Sequence, residues 1–237
     1  LIRKRQEEFP NLPALNVQVV ENNSVIYAGN LRIRFFGVTH TIPDALGIVI
    51  ETPYGSIVTP GDYKLDQIDG IVTKEEEKEY AFFDKEKVLL LMTDSTNVEN
   101  EGFALPEIKV HEGLEKLIKK CNGRIVISAF ASSITRLIKI VEIAESLNKK
   151  VALDGRSLKT NMEVCEQAGI FKPKKGTIIP IEEIESYPPN KVLIMMTGAQ
   201  GEEFAALSRA ANRTHKKFQI KNGDTIILSS SIVPGNE

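Results

Sequence analysis

GRIVISAFASSITRLIKIVEIAESLNKKVALDGRSL, residues 123–158, carries the reading of the fold. Arg124–Phe130 is a short, β-branched apolar run that predicts a strand. Leu137, Ile140, Val141 and Ala144 then recur at helical spacing and predict a helix over 133–147. Lys150–Asp154 is a second strand-like run. The same alternation continues outward on both sides. A helix is expected over 107–121, another over 159–168 ended by Gly169, and another near 202–211. Strands are expected over 176–180, 191–197 and 225–230. Strands alternating with helices predict a mostly parallel, helix-covered sheet. Ligands in such sheets sit beyond the carboxyl ends of the strands.

The first hundred residues read differently. Residues 16–20, 24–28 and 31–38 are short β-rich runs separated by turn residues. In the last of them Leu31, Ile33 and Phe35 alternate with Arg32 and Arg34. Strands follow at 46–52 and 56–59, joined through Pro53-Tyr54-Gly55, a turn sequence. The run KEEEKEYAFFDKEK at 74–87 predicts a solvated helix face or surface loop. Val88–Met92 is continuously apolar and predicts a buried strand.

Composition limits the function. The chain has 237 residues, 42% hydrophobic and 26% charged, with a formal net charge of -2. These values suit a globular α/β chain and argue against disorder, a coiled coil or a globally basic nucleic-acid binder. No apolar run reaches the ~18–20 residues that span a bilayer. The two cysteines, Cys121 and Cys165, lack CxxC spacing, so a cysteine-rich zinc site is excluded and a reducing cytoplasm is expected. Only His40, His111 and His215 supply imidazole.

Chemically suggestive residues cluster after strands. His40, in THTIPD, follows the strand at 31–38 and is a candidate metal ligand, with Asp44 as a carboxylate able to orient it. Asp62 follows Gly61 in TPGDYK and reads either as a turn residue or as a carboxylate shared by two metals. Asp94 follows VLLLM and reads as a helix cap or as a functional acid that needs a partner. Ser132 and Ser133 open a helix, where backbone N–H groups favour anions, and Arg136 could add a bond to phosphate. Arg156, Arg209, Arg213, His215, Lys216 and Lys217 could form a local positive surface, with His215 itself expected on the outside. Ser229, Ser230 and Ser231 follow the final strand.

The ordered set VTHTIPDALGIVIETPYGSIVTPGDYKLD, LMTDSTN, GRIVISAFASSITRL, DGRSL, MTGAQGEEFAALSRAANRTHKKFQI and GDTIILSSSIVPGNE resembles the ribonuclease J family. That family belongs to the beta-CASP group of metallo-beta-lactamase-fold nucleases. The resemblance covers nearly the whole chain. It implies a partial metallo-beta-lactamase αββα sandwich over 1–105 and an incomplete beta-CASP domain over 106–237. It implies a metal-dependent ribonuclease, endonuclease and 5'-3' exonuclease, that acts on RNA in the cytoplasm, as a homo-oligomer and without a membrane partner.

By the same resemblance, His40 binds one of two divalent metal ions, zinc by expectation, and Asp62 bridges both. Asp94 supports a catalytic histidine outside this sequence. Ser132, Ser133, Arg136 and Ser229–Ser231 are candidate contacts for RNA or phosphate. A metal-held hydroxide would attack the phosphodiester phosphorus.

Departures from the family pattern shape these expectations. The HxHxDH motif expected before His40 is absent, as are the histidines expected after SSSIVPGNE. Thr135 stands where the family usually has His, and Pro60 replaces a more usual Thr. The sequence begins without Met and ends inside a motif, so an internal piece of a longer enzyme is expected, inactive by itself. A natural remnant without metal chemistry is the other explanation. A non-catalytic RNA-binding module and a beta-CASP nuclease acting on DNA are the alternative functions.

Overall fold

A computed structural model describes residues 2–198, 201–202 and 205–230. The chain divides into two compact units, one over Ile2–Pro106 and one from Glu107 onward.

The first unit begins with α1 (Ile2–Gln6), followed by β1 (Val25–Ala28), β2 (Leu31–Gly37), β3 (Leu46–Thr52) and β4 (Gly55–Gly61). A small hairpin follows, β5 (Gln67–Ile68) and β6 (Ile71–Val72), then α2 (Lys74–Tyr80) and β7 (Val88–Thr93). The main sheet has the order β1-β2-β3-β4-β7. Pairing is antiparallel from β1 to β4 and parallel between β4 and β7. β2, β4 and β7 therefore run the same way, and their carboxyl ends share one edge. Phe36, Val49 and Val58 form the core of this unit, covered by Tyr80, Phe82 and Phe83.

Three expectations for this unit need correction. Residues 16–20 form no strand, because nothing among the described residues pairs with them. β7 is present but not buried: Leu89 to Met92 are about half exposed, since β7 is the sheet edge and the aromatic layer lies over Phe36. The charged run at 74–87 is no purely solvated face. Glu76 is buried, and the three aromatic rings within the run cap the core. The helix starts on Thr73, whose hydroxyl accepts the Glu76 N–H. The T-x-x-E spacing of a capping box is thus in the sequence.

The second unit comprises α3 (Glu107–Lys120), β8 (Ile125–Ala129), α4 (Ile134–Ser146), β9 (Lys150–Asp154), α5 (Arg156–Gln167), β10 (Ile178–Ile179), β11 (Val192–Met196), α6 (Ala206–Ala211) and β12 (Thr225–Ser229). Its five strands are all parallel, in the order β10-β9-β11-β8-β12. This is the helix-covered parallel sheet that the periodicity predicts. Alternate side chains go to opposite faces. Ile125, Ile127, Val151, Leu153, Leu193 and Met195 pack with α3, α4 and α5. Val126, Ala152, Ile194 and Met196 pack with α6 and Phe218. Strands buried on both faces need near-continuous apolar sequence, which β11 has and β8 interrupts only at Ser128, whose buried hydroxyl donates to the Met196 carbonyl at 3.2 Å. Among the described residues, no helix is long and apolar enough to cross a membrane.

Candidate functional site

The edge where β2, β4 and β7 end gathers His40, Asp62 and Asp94. The loops after β2 and β4 are joined by the Lys64 N–H, which donates to the Thr39 carbonyl at 2.9 Å. The β4 and β7 ends pair at Gly61 and Thr93, and the Thr93 hydroxyl donates to the Tyr63 hydroxyl oxygen at 3.1 Å. Gly61 has φ +67, a left-handed turn that favours glycine and delivers Asp62 to solvent. His40 is half-buried and lies within electrostatic reach of Asp94.

Asp94 does not cap a helix. Its Oδ1 accepts the Thr96 N–H at 2.8 Å and the Thr96 hydroxyl at 2.6 Å, closing a local turn. The Thr96 hydroxyl is the main cause holding its carboxyl below the ordinary value, and His40 adds to the shift. Its partner is Thr96, only two residues on, where the sequence offers no obvious one.

A third acid at this edge is not singled out from sequence. Glu76 reaches from α2 and accepts the Thr39 hydroxyl at 2.7 Å, directly before His40. The Thr73 N–H is taken by the Asp66 carbonyl, so Glu76 is free to leave the capping box. Its Oε1 is buried without a partner among the described residues. A cavity of about 740 Å³ opens here, lined by Gly37, Thr39, Asp44, Glu76 and Glu79 among others.

The donor chemistry of His40 and Asp62 suits a metal, but the set is short. No group of three or more His, Cys, Asp or Glu able to hold an ion exists among the described residues. Structural and catalytic zinc sites use three or four protein ligands. These residues alone do not make a complete metal site.

In the second unit, the remaining candidates lie at the carboxyl ends of parallel strands. Ser133 occupies the position before α4 but makes no capping bond, and its hydroxyl is buried without a partner among the described residues. Ser132 is exposed. Arg136 forks onto Glu107 at 2.7 and 2.9 Å and donates to the Ser229 carbonyl at 2.9 Å. Its guanidinium thus ties the starts of α3 and α4 to the end of β12. Ser229 is buried and Ser230 half-buried, and Ser231 lies outside the described residues.

His215 is not a surface residue. It is 8% exposed, and its Nε2 is 2.6 Å from Asp154 Oδ2. Nothing in sequence links these two side chains, which come from the end of β9 and the loop after α6. His111 is partly buried, with Nε2 3.4 Å from Glu107.

Residues 122–237 match the family model described as ribonuclease J, beta-CASP domain. Ribonuclease J of Corynebacterium glutamicum is 40% identical over 234 residues, 99% of this chain and 32% of that protein. Ribonuclease J of Mycoplasma genitalium is 35% identical over 236 residues, 100% of this chain and 41% of that protein. Ribonuclease J 2 of Staphylococcus aureus is 37% identical over 225 residues, 92% of this chain and 40% of that protein. The chain therefore spans about a third to two fifths of the length of these relatives. A crystal structure of a protein of unknown function from Enterococcus faecalis V583 shares the fold, with a TM-score of 0.61 at 18% identity over 92% of this chain and 56% of that one. Residues 122–237 thus belong to the ribonuclease J beta-CASP domain family, and the chain as a whole is similar to ribonucleases J.

Proposed function

We propose that the whole protein is a metal-dependent ribonuclease that cleaves RNA phosphodiesters internally and from 5′ ends. Residues 1–105 are read as part of its metallo-beta-lactamase domain and 106–237 as beta-CASP. The observation that carries the reading is the shared edge of β2, β4 and β7, where His40, Asp62 and Asp94 follow three co-directional strands in a chain similar throughout to ribonuclease J.

His40 and exposed Asp62 would be metal ligands, and two divalent ions, zinc by expectation, would complete their shell only with donors from outside this sequence. Such ions activate water and stabilise charge in phosphodiester hydrolysis. Glu76 holds the Thr39 hydroxyl and so steadies the backbone that presents His40. Asp94, kept ionised by Thr96, is suited to orient a cationic or N–H donor. The chain alone is expected to be inactive and to bind zinc weakly. The two free cysteines suit a reducing cytoplasm, and a homo-oligomer is carried by the family resemblance alone.

The test is cleavage of 5′-monophosphorylated RNA and of sequence-matched DNA by the whole protein. RNA cleavage that disappears in Asp62→Ala, with RNA binding retained, is the expected result. Full activity in Asp62→Ala would overturn its role. Cleavage of DNA alone would select a DNA nuclease, and RNA binding without any cleavage a binding module. Tight stoichiometric zinc on the 237-residue chain would contradict the incomplete donor set.

A further inference from the structure

At the carboxyl end of the parallel sheet, connections from two neighbouring strands part company. β9 leaves through α5 on one face, and β11 leaves through α6 on the other. Open α/β sheets take ligands in crevices where connections diverge in this way. Here the strand ends approach closely. Gly155 has φ +116, and a Cβ there would lie 2.5 Å from Thr197 Cγ2. Any side chain would push the β9 and β11 ends apart.

The loop after α6 is pinned to this crevice by His215. Its Nδ1 accepts the Lys217 N–H at 3.2 Å, which leaves Nε2–H of the neutral ring as donor to Asp154. Both side chains are buried, so the contact is shielded from competing water. The loop cannot slide without breaking it.

The pinning fixes what stands on either side. Arg156 follows Asp154 closely, and Arg213 and Lys216 flank His215. All three are exposed and make no ion pair among the described residues. Lys159 lies 3.8 Å from Asp154, and Lys217 pairs with Glu182 at 2.6 Å. Counting the neighbours of the Asp154–His215 bond in the chain and the ion pairs made there, five cationic side chains stand against two paired carboxylates, although the whole chain carries a net charge of -2. An excess of cations on one rim of an otherwise acidic chain is an electrostatic footprint for a polyanion.

We propose that this rim binds the phosphodiester backbone of single-stranded RNA, with Arg156, Arg213 and Lys216 as the phosphate contacts and the Asp154–His215 bond as the positioning pair. The proposal rests on the reading of the protein as a ribonuclease and adds a substrate-holding surface in the beta-CASP domain, apart from the residues assigned to cleavage.

The experiment is fluorescence anisotropy of the whole protein with a labelled 12-nucleotide oligouridylate, in chelator so that RNA stays intact. Each lost phosphate contact lowers the slope of log K against log salt by about 0.7 for single strands. The triple variant Arg156→Gln/Arg213→Gln/Lys216→Gln is therefore expected to lower the slope by about 2 and the affinity at 0.1 M salt by roughly a hundredfold. A control removes three exposed lysines elsewhere in the unit, Lys172→Gln/Lys174→Gln/Lys175→Gln, and is expected to leave the slope unchanged.

Wild-type binding with an unchanged triple variant overturns the rim, as does an equal loss in the control. His215→Leu is expected to weaken binding while Arg156, Arg213 and Lys216 remain. Unchanged affinity in that variant overturns the positioning role. A wild-type protein that neither binds nor cleaves RNA would instead sink the ribonuclease reading itself.

Discussion

Arg124→Met should be among the most destabilising substitutions in the second unit. Arg124 sits just before β8 and is 4% exposed. Its Nε and Nη2 fork onto Asp224 at 3.0 and 2.7 Å, and Nη2 also donates to the Gln219 carbonyl at 2.9 Å. The guanidinium lies 4.7 Å above the Phe218 ring. A further bond goes to Glu185, which is 61% exposed and adds at most about 1 kcal/mol. The buried part decides the outcome. Removing one partner of a buried ion pair costs about 3–5 kcal/mol, because the other charge is left uncompensated. Asp224 keeps one donor, the Lys221 N–H at 2.8 Å, so the lower end, about 3 kcal/mol, applies.

The assay should report on this unit alone. Backbone amides of β8 and β11 are wholly buried, and their hydrogen exchange follows global opening of the unit. At 1.4 kcal/mol per tenfold, exchange should accelerate by roughly two decades. The second variant, Arg124→Met/Asp224→Asn, removes the orphaned charge while keeping an oxygen for the Lys221 N–H. It should recover about 1 kcal/mol or more. An Arg124→Met loss under about 1 kcal/mol, or a double variant no better than the single one, would refute the argument.

Three further outcomes follow from the first unit. Burial acts most strongly on Glu86 and pushes its carboxyl up, but the Ser56 hydroxyl and the Arg34 guanidinium outweigh it and hold it below the ordinary 4.5. A lowered folded value means this stabilisation is present above pH 4.5 and lost as pH falls through the folded value. Glu86→Gln should flatten the acid limb of a thermal-unfolding series, and an unchanged limb would count against it. Tyr80→Phe keeps the ring against Phe36, at 5.9 Å, and removes a hydroxyl buried without a partner among the described residues, so stability should hold or rise by about 1 kcal/mol. A loss above that size in urea unfolding would reveal a missed bond. The 237-residue chain should self-associate with rising concentration through β7, an exposed apolar edge. Sedimentation should show Leu90→Lys reducing that association, and a wild-type chain that stays monomeric at high concentration would contradict it.

The βα alternation of the second unit was legible because both of its faces are covered. Leu137, Ile140, Val141 and Ala144 recur at helical spacing, and all four are buried. What failed depended on layers that no local pattern records. VLLLM looks like a core strand, but coverage is set by what packs above it, and the aromatic cap lies over Phe36. Glu76 sits in a run of charges, yet a turn from α2 carries it to Thr39. Asp154 and His215 meet across 61 residues, so neither residue predicts the other. Asp94 gave a cap-like signal and has a Thr96 turn, because no helix starts there and the next one, α3, begins at Glu107.

One rule nonetheless reached both candidate surfaces. Polar residues just beyond the carboxyl ends of strands converge whenever those strands are co-directional. In the second unit all five strands are, and in the first β2, β4 and β7 are. The amino ends of the parallel strands carry different chemistry. Arg124 is locked onto buried Asp224 before β8 and β12, and Lys149, before β9, donates to the Asn190 carbonyl at 2.5 Å. Burial holds the Lys149 ammonium below its ordinary pKa, so its charge serves a closed interior contact. The carboxyl ends instead carry glycine, serine and unpaired cations. The sheet thus divides its labour by polarity. Substitutions before the strands should lower stability and leave the salt dependence of RNA binding intact, and substitutions after them should do the reverse. Arg124→Met and the Arg156/Arg213/Lys216 triple variant stand at opposite edges of the same sheet, and a shared phenotype would break the division.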